Sequence, residues 1–115
     1  MIVRKEERAT QRVEKMKDGE GYVLSAPILS PETIYNKGRL FGHVVLEKNC
    51  EIGWHEHHGE GEAYYIIRGE GVCNDNGNIV TLKTGDAHFC CDGNGHSIKN
   101  IQDEPMEMIA LVVYN

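Results

Sequence analysis

The sequence has no long apolar run. None of its hydrophobic stretches approaches the roughly 20 residues needed to span a bilayer. The N-terminal stretch MIVRKEERATQRVEKMK has no apolar core of the kind that opens a secretory signal. These absences predict a cytoplasmic protein with no membrane partner. The chain also lacks C-x-x-C spacing, so Cys50, Cys73, Cys90 and Cys91 fit neither a zinc ribbon nor a dithiol redox motif. Cys90 and Cys91 are adjacent, and neighbours on a strand point to opposite faces, so their thiols are not expected to converge. A basic surplus is missing too. Lys plus Arg number 12 against 18 Asp plus Glu, a net charge of −6, and the basic residues near the N-terminus are interleaved with acidic ones. Such a chain repels phosphate backbones, so nucleic acid is not an expected partner. Linkers, repeats and low-complexity blocks are absent. A chain of 115 residues is then expected to form a single domain over 1–115.

What the sequence does have is glycine, 13 residues of it, set between short apolar runs. The runs GYVLSAPIL, RLFGHVVLE, EIGWHEH, EAYYIIRG, EGVCND, NIVTLK, AHFCC, HSIKNI and MEMIALVVY have strand length. Turn signals separate most of them, and DNGN between two of them is a strong hairpin signal. About nine short, closely spaced strands predict an all-β barrel or sandwich. Residues 1–20 are ambiguous: Ala9, Val13 and Met16 have helical spacing, whereas MIV suits the opening of a strand. The runs AYYII and MIALVV are apolar on both faces and should be covered on both sides. In a chain this small the second cover is expected to be another copy of it, giving a homodimer.

The most unusual stretch is WHEHHGEGEAYYIIRGEG, from Trp54 to Gly71. On a strand, His55 and His57 point the same way, roughly 7 Å apart, while Trp54 and Glu56 point the other way. Gly59 and Gly61 turn the chain, and His58 is expected to sit exposed in that turn. The returning strand opens at Glu62, which is expected beside the histidine pair on the face shared with Tyr64 and Ile66. Glu60 is placed in the turn, as the weaker candidate. Two imidazoles and a carboxylate that converge suit a borderline divalent metal: iron, manganese, nickel or zinc. Surface histidines on a polar hairpin would give the same pattern. His43, His88 and His96 lie elsewhere, and His96 opens a strand after the tight CDGNG turn, well placed to reach a barrel interior.

HEHHGEGEAYYIIRG resembles the first motif of the cupin superfamily: His-x-His, three or four residues, Glu, six residues, Gly. His55, His57, Glu62 and Gly69 fit it. GDAHFCCDGNGHSIKN resembles the second motif through Gly85, Gly93, His96 and Asn100. Asn49 stands where the first motif opens with Gly, and Asn tolerates the left-handed turn that Gly would make there. Cys91 stands where the second motif has Pro. The resemblance covers about residues 40–113. It implies a cupin-type double-stranded β-helix, or jelly-roll barrel, holding one divalent metal ion per chain on His55, His57, Glu62 and His96. It also implies two positions on the ion left open for water, a bidentate acid or dioxygen. His43, Tyr64 and Cys91 are candidates for the pocket or for supporting the ligands. The implied function is a metal-dependent enzyme with dioxygenase- or decarboxylase-like chemistry on a small, polar, oxygen-rich substrate. The alternatives are a non-catalytic small-molecule or metal-binding module, and a sugar or sugar-phosphate isomerase.

Overall fold

A computed structural model describes residues 1–115. Ten strands carry the chain: β1 (Gln11–Glu14), β2 (Tyr22–Leu29), β3 (Gly38–Leu46), β4 (Glu51–Glu56), β5 (Glu60–Arg68), β6 (Glu70–Asp75), β7 (Asn78–Lys83), β8 (Ala87–Cys90), β9 (Gly95–Lys99) and β10 (Met106–Tyr114). Only three short 3-10 turns interrupt them. All pairings are antiparallel. Six strands form one sheet in the order β1-β2-β3-β10-β5-β8, and four form the other in the order β4-β9-β6-β7. Non-consecutive neighbours such as β3-β10-β5 and β4-β9-β6 make this the jelly roll that the family resemblance implied.

Nine of the strands match the apolar runs. The tenth, β1, falls in the ambiguous N-terminal stretch. It is an edge strand paired to β2 from Gln11↔Ser25 to Glu14↔Tyr22. Its one apolar residue, Val13, is only half-buried, so hydrophobic alternation could not mark it. The DNGN hairpin joins β6 to β7 with both Asn76 and Gly77 at positive φ, the primed-turn geometry that suits the twist of paired strands.

The interior changes character along its length. At one end Leu46, Ile66, Ile98, Met106 and Met108 are fully buried between the sheets. Each such side chain contributes about 1.5–3 kcal/mol by leaving water. Toward the other end the same inward-facing rows carry Tyr64, Glu62, His57 and His96, all buried. On β5 the row reads Ile66, Tyr64, Glu62, so one strand runs from core to polar site in alternating steps. Outside, the larger sheet leaves Tyr65, Ile67 and Phe89 exposed. The apolar outer face of AYYII is therefore open within one chain, and that of MIALVV is half-buried.

Candidate metal centre

A bulge on β4 aims His55. On β4, Ile52 lies opposite Ile98 and His55 opposite His96, so three steps on β4 match two on β9. The extra residue reverses the alternation. Ile52 then faces the core, and so does His55. Gly53 makes this possible, because a Cβ there would collide with the Lys17 carbonyl oxygen. The displaced Gly53 carbonyl accepts a hydrogen bond from His55 Nδ1 at 2.8 Å. Trp54 points away, with its indole over Gly95, where a Cβ would strike the ring.

Each histidine of the cluster has its second nitrogen engaged. His55 Nδ1 donates to a carbonyl, which leaves Nε2 as a lone pair. His57 Nδ1 donates to Glu60 Oε2 at 2.6 Å. His96 Nδ1 lies 2.9 Å from His88 Nε2, and the ring of Tyr64 stacks on His96 at 4.8 Å and 9°. Such partners fix the tautomer and ring orientation of a metal-ligating imidazole.

The free Nε2 atoms converge on one carboxylate oxygen. Glu62 Oε1 is 3.0 Å from His96 Nε2, 3.2 Å from His57 Nε2 and 3.4 Å from His55 Nε2. His96 Nε2 lies 3.1 Å from that of His57 and 3.0 Å from that of His55. Ligands on about 2.1 Å bonds are separated by about 3.0 Å along an octahedral edge and about 3.4 Å along a tetrahedral one. The four donor atoms all lie within 4.8 Å of one another. Three imidazole nitrogens and a carboxylate oxygen at this spacing fit one divalent cation, and without a proton or a cation between them their lone pairs repel.

The electrostatics fit the same role. In the metal-free cluster burial opposes charge on Glu62, but protons that the imidazoles of His55, His57 and His96 place on Nε2, where a cation would otherwise sit, outweigh it and hold the carboxyl below the usual range. His57, between Glu62 and Glu60, is raised above the ordinary histidine value despite its burial. His96 is pushed down by burial, against the pull of Glu62. Arg39 holds Glu60 ionised, with His57 second, so that its carboxyl falls to about 2. Burial keeps His88 below the usual range and the Tyr64 phenol well above it.

A pocket of about 170 Å³ opens onto His55, His57 and Glu62. Its walls are mostly apolar, with Met16, Val23, Leu40, Val44, Ile52 and Ala110, and its polar groups are Lys17, Ser25, Arg39 and Tyr64. The Tyr64 hydroxyl is buried and has no hydrogen-bond partner in the chain.

The structure brings together His55, His57, Glu62 and His96, and places Tyr64 beside them. It takes His43 and Cys91 elsewhere. His43 lies on the outer face of the large sheet, where Nε2 pairs with Glu107 at 2.9 Å; its parity on β3 is opposite to that of buried Val44. Cys91 is exposed just past β8, while Cys90 is buried. All four cysteines are free thiols. His58 is exposed, as its place in the turn implied. Glu60 corrects the sequence expectation. It opens β5 rather than sitting in the turn, and it is nearly as buried as Glu62. Its alternation with Glu62 on one strand was the available signal. His88 and Arg39 were also missed. His88 lies directly across from Tyr64 on the ladder, a pairing that only the register of β5 with β8 reveals.

The comparisons agree with this architecture. Residues 42–114 match the family model described as the cupin domain. A Thermotoga maritima protein named oxalate-binding protein is 42% identical over 113 residues, covering 98% of this chain and 93% of the relative. The crystal structure of a Thermotoga maritima protein described as a predicted oxalate decarboxylase is 41% identical and superposes with a TM-score of 0.96 over 100% of both chains. KdgF from Halomonas sp. shares the fold alone, at 13% identity and a TM-score of 0.77 over 100% of this chain and 94% of that one. Two motifs on facing strands, a jelly roll around them and these likenesses lead to one assignment: the chain belongs to the cupin superfamily.

Proposed function

We propose that this is a single-domain, metal-dependent cupin that acts on a small, oxygen-rich acid, with oxalate as the first candidate. The observation that carries this is the set of three imidazole nitrogens 3.0–3.4 Å from Glu62 Oε1 at the floor of a small pocket. His55, His57, Glu62 and His96 would hold one divalent ion. Bound there, that ion supplies Lewis acidity toward the oxygens of an acid.

The residues of the chain do the rest. Apolar walls exclude water and strengthen charge interactions inside. Lys17 and Arg39 make the mouth attractive to an anion. The Tyr64 phenol, held neutral by its burial and by the negative charge of Glu62, offers a hydrogen-bond donor in the pocket. A volume of about 170 Å³ suits a molecule of a few heavy atoms, smaller than the usual drug-sized ligand. The likeness to a relative named oxalate-binding protein supports a small diacid as the ligand.

Elemental analysis of protein purified without added metal tests the first part, with about one divalent ion per chain expected. His57→Ala should lose that ion and keep its β spectrum; full metal content in the variant would refute the assignment. Calorimetric titration of the metal-loaded protein with oxalate tests the ligand. Assays for carbon dioxide release and oxygen uptake then separate decarboxylation or oxidation from binding alone.

We also propose a homodimer formed through the outer face of the large sheet. Tyr65, Ile67 and Phe89 are exposed there, and half-buried Ile109 and Leu111 continue the apolar surface.

A further inference from the structure

Arg39 reaches the pocket through an irregularity in β3. Leu40 lies opposite Val112, and Gly38 lies opposite the next residue, Val113, so Arg39 is an extra residue with no cross-strand partner. A bulge of this kind bends the strand and re-aims the side chain it carries. Gly38 permits it, because a Cβ there would collide with the Val112 carbonyl oxygen. Regular alternation from inward-facing Leu40 would turn Arg39 to the outer face. Instead it lines the pocket with His55, His57 and Glu62.

One edge of the guanidinium is committed. Nε donates to Glu60 Oε1 and Nη2 to Glu60 Oε2, both at 2.7 Å. Glu60 in turn accepts from His57 Nδ1 at 2.6 Å. The fork has five N–H donors, and Nη1 makes no hydrogen bond to the chain. The Arg39 side chain is 48% exposed, so the free edge stands at the mouth and is not sealed in. Lys17 lines the same mouth on a strained segment, since Lys15, Lys17 and Asp18 all have positive φ. That segment is locked against β4, where neither Gly19 nor Gly53 has room for a Cβ.

We propose that Arg39 is the specificity-determining residue of this site. Its committed edge positions His57 through Glu60, and its free edge takes the outward oxygens of a small dicarboxylate. This rests on the reading of the site as one for a metal ion and a small acid. A monocarboxylate of similar size bound at the same place offers the free edge less negative charge, so it is bound less tightly. A lysine at position 39 keeps the charge but loses the fork, and cannot serve Glu60 and a ligand at once.

The test has two arms on the full chain. Metal-stripped wild type, Arg39→Lys and Glu60→Gln are titrated with Zn²⁺ in the absence of any acid. Glu60→Gln keeps an acceptor oxygen for His57 Nδ1 but loses the charge that strengthens that bond and one arm of the Arg39 pair, so it is expected to weaken binding about tenfold, the low end of the cost of disturbing a partner of a ligating histidine, and Arg39→Lys to weaken it less. Unchanged Zn²⁺ affinity in Glu60→Gln overturns the positioning role. Wild type and Arg39→Lys, saturated with Zn²⁺ and checked for folding by circular dichroism, are then titrated with oxalate and with glycolate, a two-carbon monocarboxylate. Wild type is expected to favour oxalate, and Arg39→Lys to lose about tenfold or more of that preference, about 1.4 kcal/mol. An equal preference in both proteins overturns the role of Arg39 alone. Wild type that binds Zn²⁺ but no carboxylate overturns the ligand reading instead, and Arg39 as its determinant with it, while the Zn²⁺ arm still reports on Glu60.

Discussion

His57 Nδ1 donates a 2.6 Å hydrogen bond to Glu60 Oε2, so the two glutamates that share a face of β5 divide one imidazole between them. Glu62 faces Nε2 of that ring and Glu60 faces Nδ1. Alternation put both carboxylates on the inner face, and the position of His57 gave them different tasks. Glu62 is placed to be a ligand and Glu60 to orient one.

The two should respond differently to neutralisation. Glu62→Gln removes a negative charge that offsets the ion in a water-poor cavity, along with the oxygen on which three nitrogens converge. Metal affinity should fall tenfold at the least, about 1.4 kcal/mol or more. Glu62→Gln should also shrink the thermal stabilisation that Zn²⁺ gives the protein, since less metal is bound to the folded state. Melting curves with and without Zn²⁺ check this: a wild-type-sized stabilisation by Zn²⁺ in Glu62→Gln would remove Glu62 from the ligand set.

Much of this was legible beforehand. The spacing of His55, His57 and Glu62 and the turn before His96 placed four donors together with only strand parity and a family resemblance. An all-β barrel or sandwich followed from apolar runs broken by glycine-rich turns, and the family resemblance narrowed it to a jelly roll. What could not be read depended on bulges and on register. The extra residue near Gly53 and the unpaired Arg39 change which way side chains point, and the glycines beside them hint at a bulge without fixing which residue is the extra one. His88 needed the register of β8 against β5. His43 has the residue type of a ligand, but its parity on β3 sends it to the outer sheet face, where it meets Glu107.

Gly53 is where the bulge and the pocket wall depend on a missing side chain. A Cβ would meet the Lys17 carbonyl oxygen and crowd the Gly19 nitrogen. Both are backbone atoms, so relief requires moving the 15–19 segment or β4. Gly53→Ala should destabilise the fold by about 1–3 kcal/mol, the usual cost of overpacking. Shifting the Gly53 carbonyl also frees His55 Nδ1, so metal affinity should fall along with stability. Gly77→Ala is the control, with open space around its Cβ and a positive φ of 102°. It should lose stability through backbone strain alone and bind metal as wild type does. Urea denaturation and Zn²⁺ titration of both variants would show this, and equal metal loss in the two would refute it.

The outer face of the large sheet should govern assembly. Ile109 lies opposite Tyr65 on β5, and Ala63 lies opposite Phe89 on β8, so the apolar patch runs continuously across three strands. A specific interface there would bury on the order of 1,200 Å² or more. Tyr65→Lys places a charge at its middle without touching the pocket. Light scattering at micromolar concentration should show a dimer for wild type and a monomer for Tyr65→Lys, with metal content unchanged. A wild-type monomer would dismiss the interface.

Glu107 offers a pH test remote from the metal cluster. Its carboxylate lies on the outer sheet face between His43 Nε2 at 2.9 Å and Arg68 Nη1 at 3.1 Å, and Glu104 is the other acid within reach of Arg68. Burial favours the protonated form, but the hydrogen bonds from Arg68 and His43 prevail and lower the carboxyl from its ordinary 4.5. The native state therefore binds fewer protons than the unfolded chain in the window below 4.5. The contribution of Glu107 is fully present above that value and is lost as pH falls through the lower native value. Glu60 and Glu62 add acid sensitivity of the same sign, but they are common to wild type and variant and cancel in the difference. Metal-stripped Glu107→Gln should be less stable than wild type near pH 6, and the gap should close as pH drops below 4.5 and through the lower native value. Urea midpoints measured across that range decide it. A gap that stays constant with pH would mean that the Glu107 carboxylate gains nothing from Arg68 and His43 on folding.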